Sequence, residues 1–281
     1  MRVLVLLMMC CMSWQAICAE YIFNTATQTA LQQQQLVEQL KQHSLILLGE
    51  VHDEPLHHQR RAELIQAMSG QNPVVVAEQL EAGQQVQYTE HLTEDLAQAG
   101  FDAKVWDWEL YAPLFSTLAT TQNTLMGGNL PIASVRQIAK QGQVAVPVAL
   151  VEKIQAAPLS NEAQATLVAD LEAGHCGHLP KSLLPNFMLA QRARDASMLN
   201  SMQQAKRTPV ILLAGNGHVR KDYGIPTLLP SGQSTSVSVG FLQLDTLTPE
   251  AIQSYQAQYD YIWLTGAVEA EDACAAFKPK K

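Results

Sequence analysis

Two carboxylates and two histidines stand directly behind apolar runs in this chain. Leu45 to Leu48 leads into Gly49-Glu50-Val51-His52, and Val74 to Ala77 leads into Glu78. Val210 to Ala214 leads into Gly215-Asn216-Gly217-His218-Val219-Arg220. Glu and His are the residue types that ligate divalent metals and move protons as general acids and bases. If the apolar runs are neighbouring parallel strands, Glu50, His52, Glu78 and His218 converge beyond their carboxyl ends, where open α/β sheets bind ligands. A mononuclear metal bound by His and Glu from the separate strands is one role such a cluster could take. The glycines suit tight turns and close backbone approach. Each residue also has a plainer reading, as a helix N-terminal carboxylate or a hydrogen-bonded histidine.

Other groups have looser patterns. His57 and His58 follow Pro55 in a helical run, and His58 stands six residues from His52, so the two make no i, i+4 ligand pair. The His-Glu-x-x-His pattern, Cys-x-x-Cys spacing, the Walker loop and the Gly-x-Ser-x-Gly elbow are absent from the sequence. His175-Cys176-Gly177-His178 sets two histidines about a turn, either facing a ligand or solvated beside a disulfide. Trp106, Trp108 and Tyr111 gather beside Asp107 and Glu109, as a packing seam or as the apolar wall of a pocket for a flat ligand. Arg192, Arg194 and Asp195 fall in a long helix starting near Pro185, where exposed ion pairs are the ordinary reading.

The elements that must position these residues read as an α/β fold. Short β-rich runs occur at 45–48, 74–77, 124–126, 210–214, 236–244 and 261–264. The intervals between them are too long for hairpins and suit helical crossovers, so a mostly parallel sheet with helices on both faces is expected. Residues 79–100 and 133–205 read as almost wholly helical. The second stretch is longer than a crossover needs. The chain is therefore expected to form one domain over 20–281, with a helical cap at about 79–123 and 133–205.

The first nineteen residues have the three parts of a secretory signal: a charge at Arg2, an apolar run from Val3 to Met12, and small residues up to Ala19. The run is too short to span a bilayer. Cys10, Cys11 and Cys18 leave a lipid anchor open. Beyond the signal only Cys176 and Cys274 remain, and outside the cytoplasm they either pair or stay free. A net charge of −8 argues against nucleic acid as a partner.

Taken in order, six segments resemble the ChaN-like family of bacterial haem-binding, iron-regulated proteins. They are Gly49-Glu50-Val51-His52-Asp53 with His57-His58, Ala77-Glu78, Gly128-Asn129-Leu130-Pro131, His175-Cys176-Gly177, Ala190-Gln191-Arg192-Ala193-Arg194-Asp195, and Gly215 to Arg220. The likeness runs from about residue 40 to about residue 230. It implies an α/β core with a helical cap, export to the periplasm or outer membrane, often as a lipoprotein, and haem binding in iron uptake. It further implies a homodimer formed on haem binding, with two haems face to face, and an outer-membrane haem receptor as partner. Iron would be held by a tyrosine, with a histidine against the propionates. Tyr111, among aromatics in the helical region, is expected as that tyrosine, with Tyr88 and Tyr223 as alternatives. His175 is expected as the propionate contact with His178 beside the haem, and Gly49, His58, Asn129, Asn216 and Arg220 as motif residues. The repeated Gly-x-x-His pairing also resembles, distantly, a superfamily of metal-dependent proteases and erythromycin esterases. That likeness would make Glu50, His52, Glu78 and His218 a hydrolytic metal site.

Overall fold

The computed structural model describes residues 20–230, 236–244, 248–266 and 274. The expected signal segment, 1–19, lies outside the described residues.

Among the described residues two short strands come first, β1 (Tyr21–Asn24) and β2 (Thr29–Leu31), then α1 (Gln33–Leu40), β3 (Leu45–Leu48) and α2 (Pro55–Ala67). Next come β4 (Val74–Glu81), α3 (Leu92–Gln98), α4 (Trp108–Thr120) and β5 (Thr124–Asn129). Four helices follow: α5 (Ile132–Gln141), α6 (Val148–Ala156), α7 (Asn161–Gly174) and α8 (Leu184–Gln204). β6 (Val210–Leu213), α9 (Asn216–Val219), β7 (Ser236–Gln243), α10 (Pro249–Ser254) and β8 (Tyr261–Thr265) complete the order.

The eight strands form one sheet in the order β2-β1-β8-β7-β3-β6-β4-β5. From β8 to β5 all neighbours are parallel, and β1 runs antiparallel to both β8 and β2. The centre of the sheet is buried on both faces, as its unbroken apolar strands require. Along β3 the side chains alternate: Ile46 and Leu48 pack with Leu64, Ile65, Leu114 and Phe115 of α2 and α4. Leu45 and Leu47 pack on the other face, with Ile138, Leu150, Ala193 and Leu199 of α5, α6 and α8. Each such buried side chain stabilises the fold by roughly 1.5–3 kcal/mol.

The sheet order places the chemistry. β6 lies between β3 and β4, with Leu213 opposite both Leu48 and Ala77. The residues one or two beyond that row are Glu50, Gly215 and Glu78, so three strand ends release their polar residues side by side.

Three expectations change. β1 and β2 extend the sheet beyond the strands read from sequence. The stretch 79–100 is helical only at α3, because β4 continues to Glu81 and the next segment folds over β5. There Gly127 donates to the Gln84 carbonyl at 2.9 Å and Val86 donates to the Leu125 carbonyl at 2.9 Å. Gly127 admits this crossing because a Cβ would collide with the Glu81 backbone. Finally, α8 lies along the sheet rather than over its end. Its small residues allow close approach, and Ser197 Oγ donates to the Gly128 carbonyl at 2.9 Å. Cys176 and Cys274 are disulfide-bonded, tying the loop after α7 to the distal end of the described chain.

Candidate functional site

Glu50 is buried where the chain leaves β3. The turn needs Gly49, since a Cβ there would run into Asn216 Oδ1. Asn216 cannot retreat: its amide pairs with the backbone of Phe241, Oδ1 accepting from the Phe241 N–H at 3.0 Å and Nδ2 donating to its carbonyl. Beyond that turn, Glu50 Oε1 accepts from the Tyr111 hydroxyl at 2.6 Å and from Gln79 Nε2 at 3.0 Å. His52 Nδ1 is 2.6 Å from the same oxygen. Glu50 Oε2 meets Arg61 Nη2. Arg61 is fully buried, and burial lowers its pKa to about 10, so it remains a cation at neutral pH.

Two further histidines hold the loop in place. Arg61 Nη2 donates to His58 Nδ1 at 2.8 Å, and His58 Nε2 donates to the His52 carbonyl at 3.0 Å. The Val51 N–H donates to His57 Nδ1 at 3.0 Å, and His57 Nε2 donates to Thr265 Oγ1 at 3.1 Å. Both rings are thus neutral Nε2–H tautomers. Burial is the main reason that each has its pKa lowered to about 4.

A second knot forms around Glu78. Its Oε2 accepts from the Gly215 N–H at 2.7 Å, and its Oε1 meets Arg194 Nη2 and stands 3.4 Å from His218 Nε2. Arg194 Nε donates to Asn129 Oδ1 at 3.1 Å. His218 Nδ1 is 2.6 Å from Asp195 Oδ1. Burial alone would raise Glu78, yet His218 and Arg194 hold its carboxyl well below the usual range. Burial alone would lower His218, but Glu78 and Asp195 outweigh it and raise the imidazole above its usual value. Asp195 itself is raised by burial.

The two knots meet at Gly215, where a Cβ would come 2.8 Å from His52 Nε2 and 3.7 Å from Glu78 Oε2. Glu50, His52, Glu78 and His218 therefore do converge, but only His52 reaches solvent, with 46% of its side chain exposed against 4% or less for the other three. It borders a cleft of about 700 Å³ whose walls include Gln79, Trp106, Leu110, Leu130 and Arg194. Trp106 meets the His52 ring edge-on at 5.0 Å. Its Nδ1 is thus held by a buried carboxylate while the ring borders the cleft. The divalent metal expected on these four residues finds no assembled site. Arg61 and Arg194 already meet the carboxylates, and among the described residues no three His, Cys, Asp or Glu side chains are placed to hold an ion.

The remaining expected residues lie elsewhere or serve packing. Tyr111 is buried, with its hydroxyl given to Glu50, and burial pushes its phenol up. Tyr88 is also pushed up by burial, and Tyr223 is buried with its hydroxyl given to Asp170 at 2.6 Å. Arg220 pairs with Asp222 and Asp170 and covers the Tyr223 ring, 4.5 Å from its centroid. His175 and His178 are exposed in the loop after α7, away from the cleft walls. Arg192 and Asp195 are not surface ion pairs. Both are buried, and Arg192 donates to the carbonyls of Ala157 and Tyr223. Sequence reasoning missed Arg61 and Gln79. The available signal was an arginine beside Ala62, Leu64 and Ile65 on the inward face of α2.

Two outcomes follow for stability. Arg61→Met leaves Glu50 buried without its cation and should lower unfolding free energy by about 3–5 kcal/mol, whereas Arg61→Met with Glu50→Gln should recover part of that loss. Urea denaturation of the three proteins checks it, and equal losses in single and double variants would contradict the pairing. Acid should also weaken the fold. His57 and His58 titrate near 4 when folded against 6.5 ordinarily, so the unfolded chain binds more protons between those values. Their contribution is complete above about pH 6.5 and is lost, by a few kcal/mol in total, on descending to about pH 4. His218 has the opposite sign, its contribution being present below its ordinary value and lost as pH rises through the raised one. A urea midpoint that rises between pH 6.5 and pH 4 would sink this assignment.

The chain's relationships bear on its fold and family. No curated protein matches it. A solved structure of ChaN from Campylobacter jejuni, described as binding haem cofacially, superposes with a TM-score of 0.70 at 23% identity, covering 88% of this chain and 97% of that one. A mutant erythromycin esterase in its open conformation covers 85% of this chain and 94% of its own, at 12% identity and a TM-score of 0.47, too low to carry an argument. The model of the haem-binding uptake family ChaN, of the Tiki superfamily, matches residues 36–229, a span containing both carboxylate knots and helices α5 to α8. This chain belongs to the ChaN family of haem-binding uptake proteins.

Proposed function

We propose that the protein is exported and binds haem for iron uptake on the outer surface of α5 to α8, between two copies of the chain. The observation carrying this reading is the family match across residues 36–229. Charge and exposure favour the location. The cleft beside His52 is rimmed by Asp53, Glu81, Asp102 and Asp107, and its one arginine, Arg194, is already paired with Glu78. Two propionates would meet repulsion there.

The helical surface has the better chemistry for a flat apolar ring. Val144, in the turn before α6, and Val148, its first residue, are each 86% exposed, and Gly142 packs against Asn186 at the start of α8. Phe187, His175 and His178 stand near that end of α8, with the exposed Lys181 in the adjoining turn. These residues fit haem: apolar side chains for the porphyrin face, imidazoles for iron or propionate, and a cation for carboxylate. Bound haem would supply the iron that uptake requires. An open patch covers only one face of such a ring, which favours a second copy closing the other.

Haemin added to the purified mature protein should produce a saturable Soret change at one haem per chain. Size exclusion of the loaded protein should show a shift from monomer to dimer. Absence of saturation would remove the haem reading, and saturation without a mass change would remove the shared interface.

A further inference from the structure

From Ile132 to Gln204, the whole span of α5 to α8, the chain contains no tyrosine. Its seven tyrosines lie elsewhere. Tyr111, Tyr223, Tyr259 and Tyr261 are buried, and Tyr88 and Tyr255 are partly so. Tyr21, 48% exposed, stands on β1 near the far edge of the sheet, on the other side of β3 from β5. An iron-bound phenolate needs an accessible oxygen that readily loses its proton. Here burial favours the protonated phenol at Tyr88, Tyr111 and Tyr223, and two of the three hydroxyls already serve carboxylates.

His175 has the properties those phenols lack. It caps the C-terminus of α7 and is exposed. Its Nδ1 donates to the Leu171 carbonyl at 2.7 Å, which fixes the tautomer and leaves Nε2 with its lone pair. Metal-ligating histidines are commonly oriented in this way, with the second ring nitrogen given to a carbonyl or carboxylate. The loop around it is well anchored. The Gly177 N–H donates to the Glu172 carbonyl at 2.8 Å and the His178 N–H donates to the His175 carbonyl at 2.9 Å. Cys176 is bonded to Cys274, and Phe187 meets the His175 ring edge-on at 5.1 Å.

We propose that His175 Nε2 is the axial donor to haem iron in this protein, in place of a tyrosine. The proposal rests on the haem-binding reading above. A neutral imidazole is a softer donor than a phenolate and binds ferrous as well as ferric iron, so the bound haem should be easier to reduce than a phenolate-ligated one.

The test is absorption and resonance Raman spectroscopy of the mature protein loaded with haemin, as wild type, His175→Ala and His178→Ala. Wild type should show no phenolate-to-iron charge transfer. His175→Ala should lose the imidazole-ligated spectrum and bind roughly tenfold or more weakly, and added imidazole should restore the spectrum. Restoration by imidazole separates lost ligation from a damaged loop. A phenolate band in wild type, an unchanged spectrum in His175→Ala, or loss confined to His178→Ala would overturn the assignment while leaving haem binding intact. Failure of wild type to bind haemin would instead remove the reading on which the assignment rests.

Discussion

A carboxylate and a guanidinium shut away from water, Glu50 and Arg61, form the constraint around which this end of the sheet is built. Burying two charges costs several kcal/mol per ion, and the pair is tolerable only when further hydrogen bonds satisfy it. Those bonds come from separate elements: Tyr111 from α4, Gln79 from β4 and His52 from the loop after β3. Arg61, His57 and His58 all project from α2. One charge pair therefore fixes two helices and β4, the strand beyond β6, to the end of β3. The Glu78 knot does the same for α8 and the turn after β6, through Arg194, His218 and the Gly215 N–H.

These knots also decide what the site cannot easily do. The carboxylate oxygens that a metal would need are taken up by guanidinium, hydroxyl, amide and backbone groups. The Tyr111 phenol that an iron would need is a hydrogen-bond donor to Glu50. The exposed histidines include His52, itself bonded to Glu50, in an acid-rimmed cleft, and His175 and His178 in the α7–α8 loop. In the proposed reading, haem meets the second set.

Much of this was legible in the residues. Apolar runs such as Leu45–Leu48 and Val210–Leu213 announce buried strands because nothing polar interrupts them. The convergence of Glu50, His52, Glu78 and His218 followed from strand ends that turn polar together. β1 and β2 were illegible because they are short strands at one end of the sheet whose residues are partly exposed and weakly patterned. Arg192 and Asp195 looked like surface ion pairs, since nothing local reveals that α8 is covered around most of its circumference. Tyr111 had the chemistry of an iron ligand, and only tertiary packing shows its hydroxyl turned inward to Glu50. The long crossing after β4 hid behind a helical composition, with glycines such as Gly127 as its local trace.

Hydrogen exchange of the mature protein with and without haemin tests the central claim, that haem is held by the helical surface and not by the cleft. Haem should protect amides in 142–148 and 171–188 and leave those of 49–54 and 100–111 unchanged. Protection confined to 49–54 and 100–111 would contradict it.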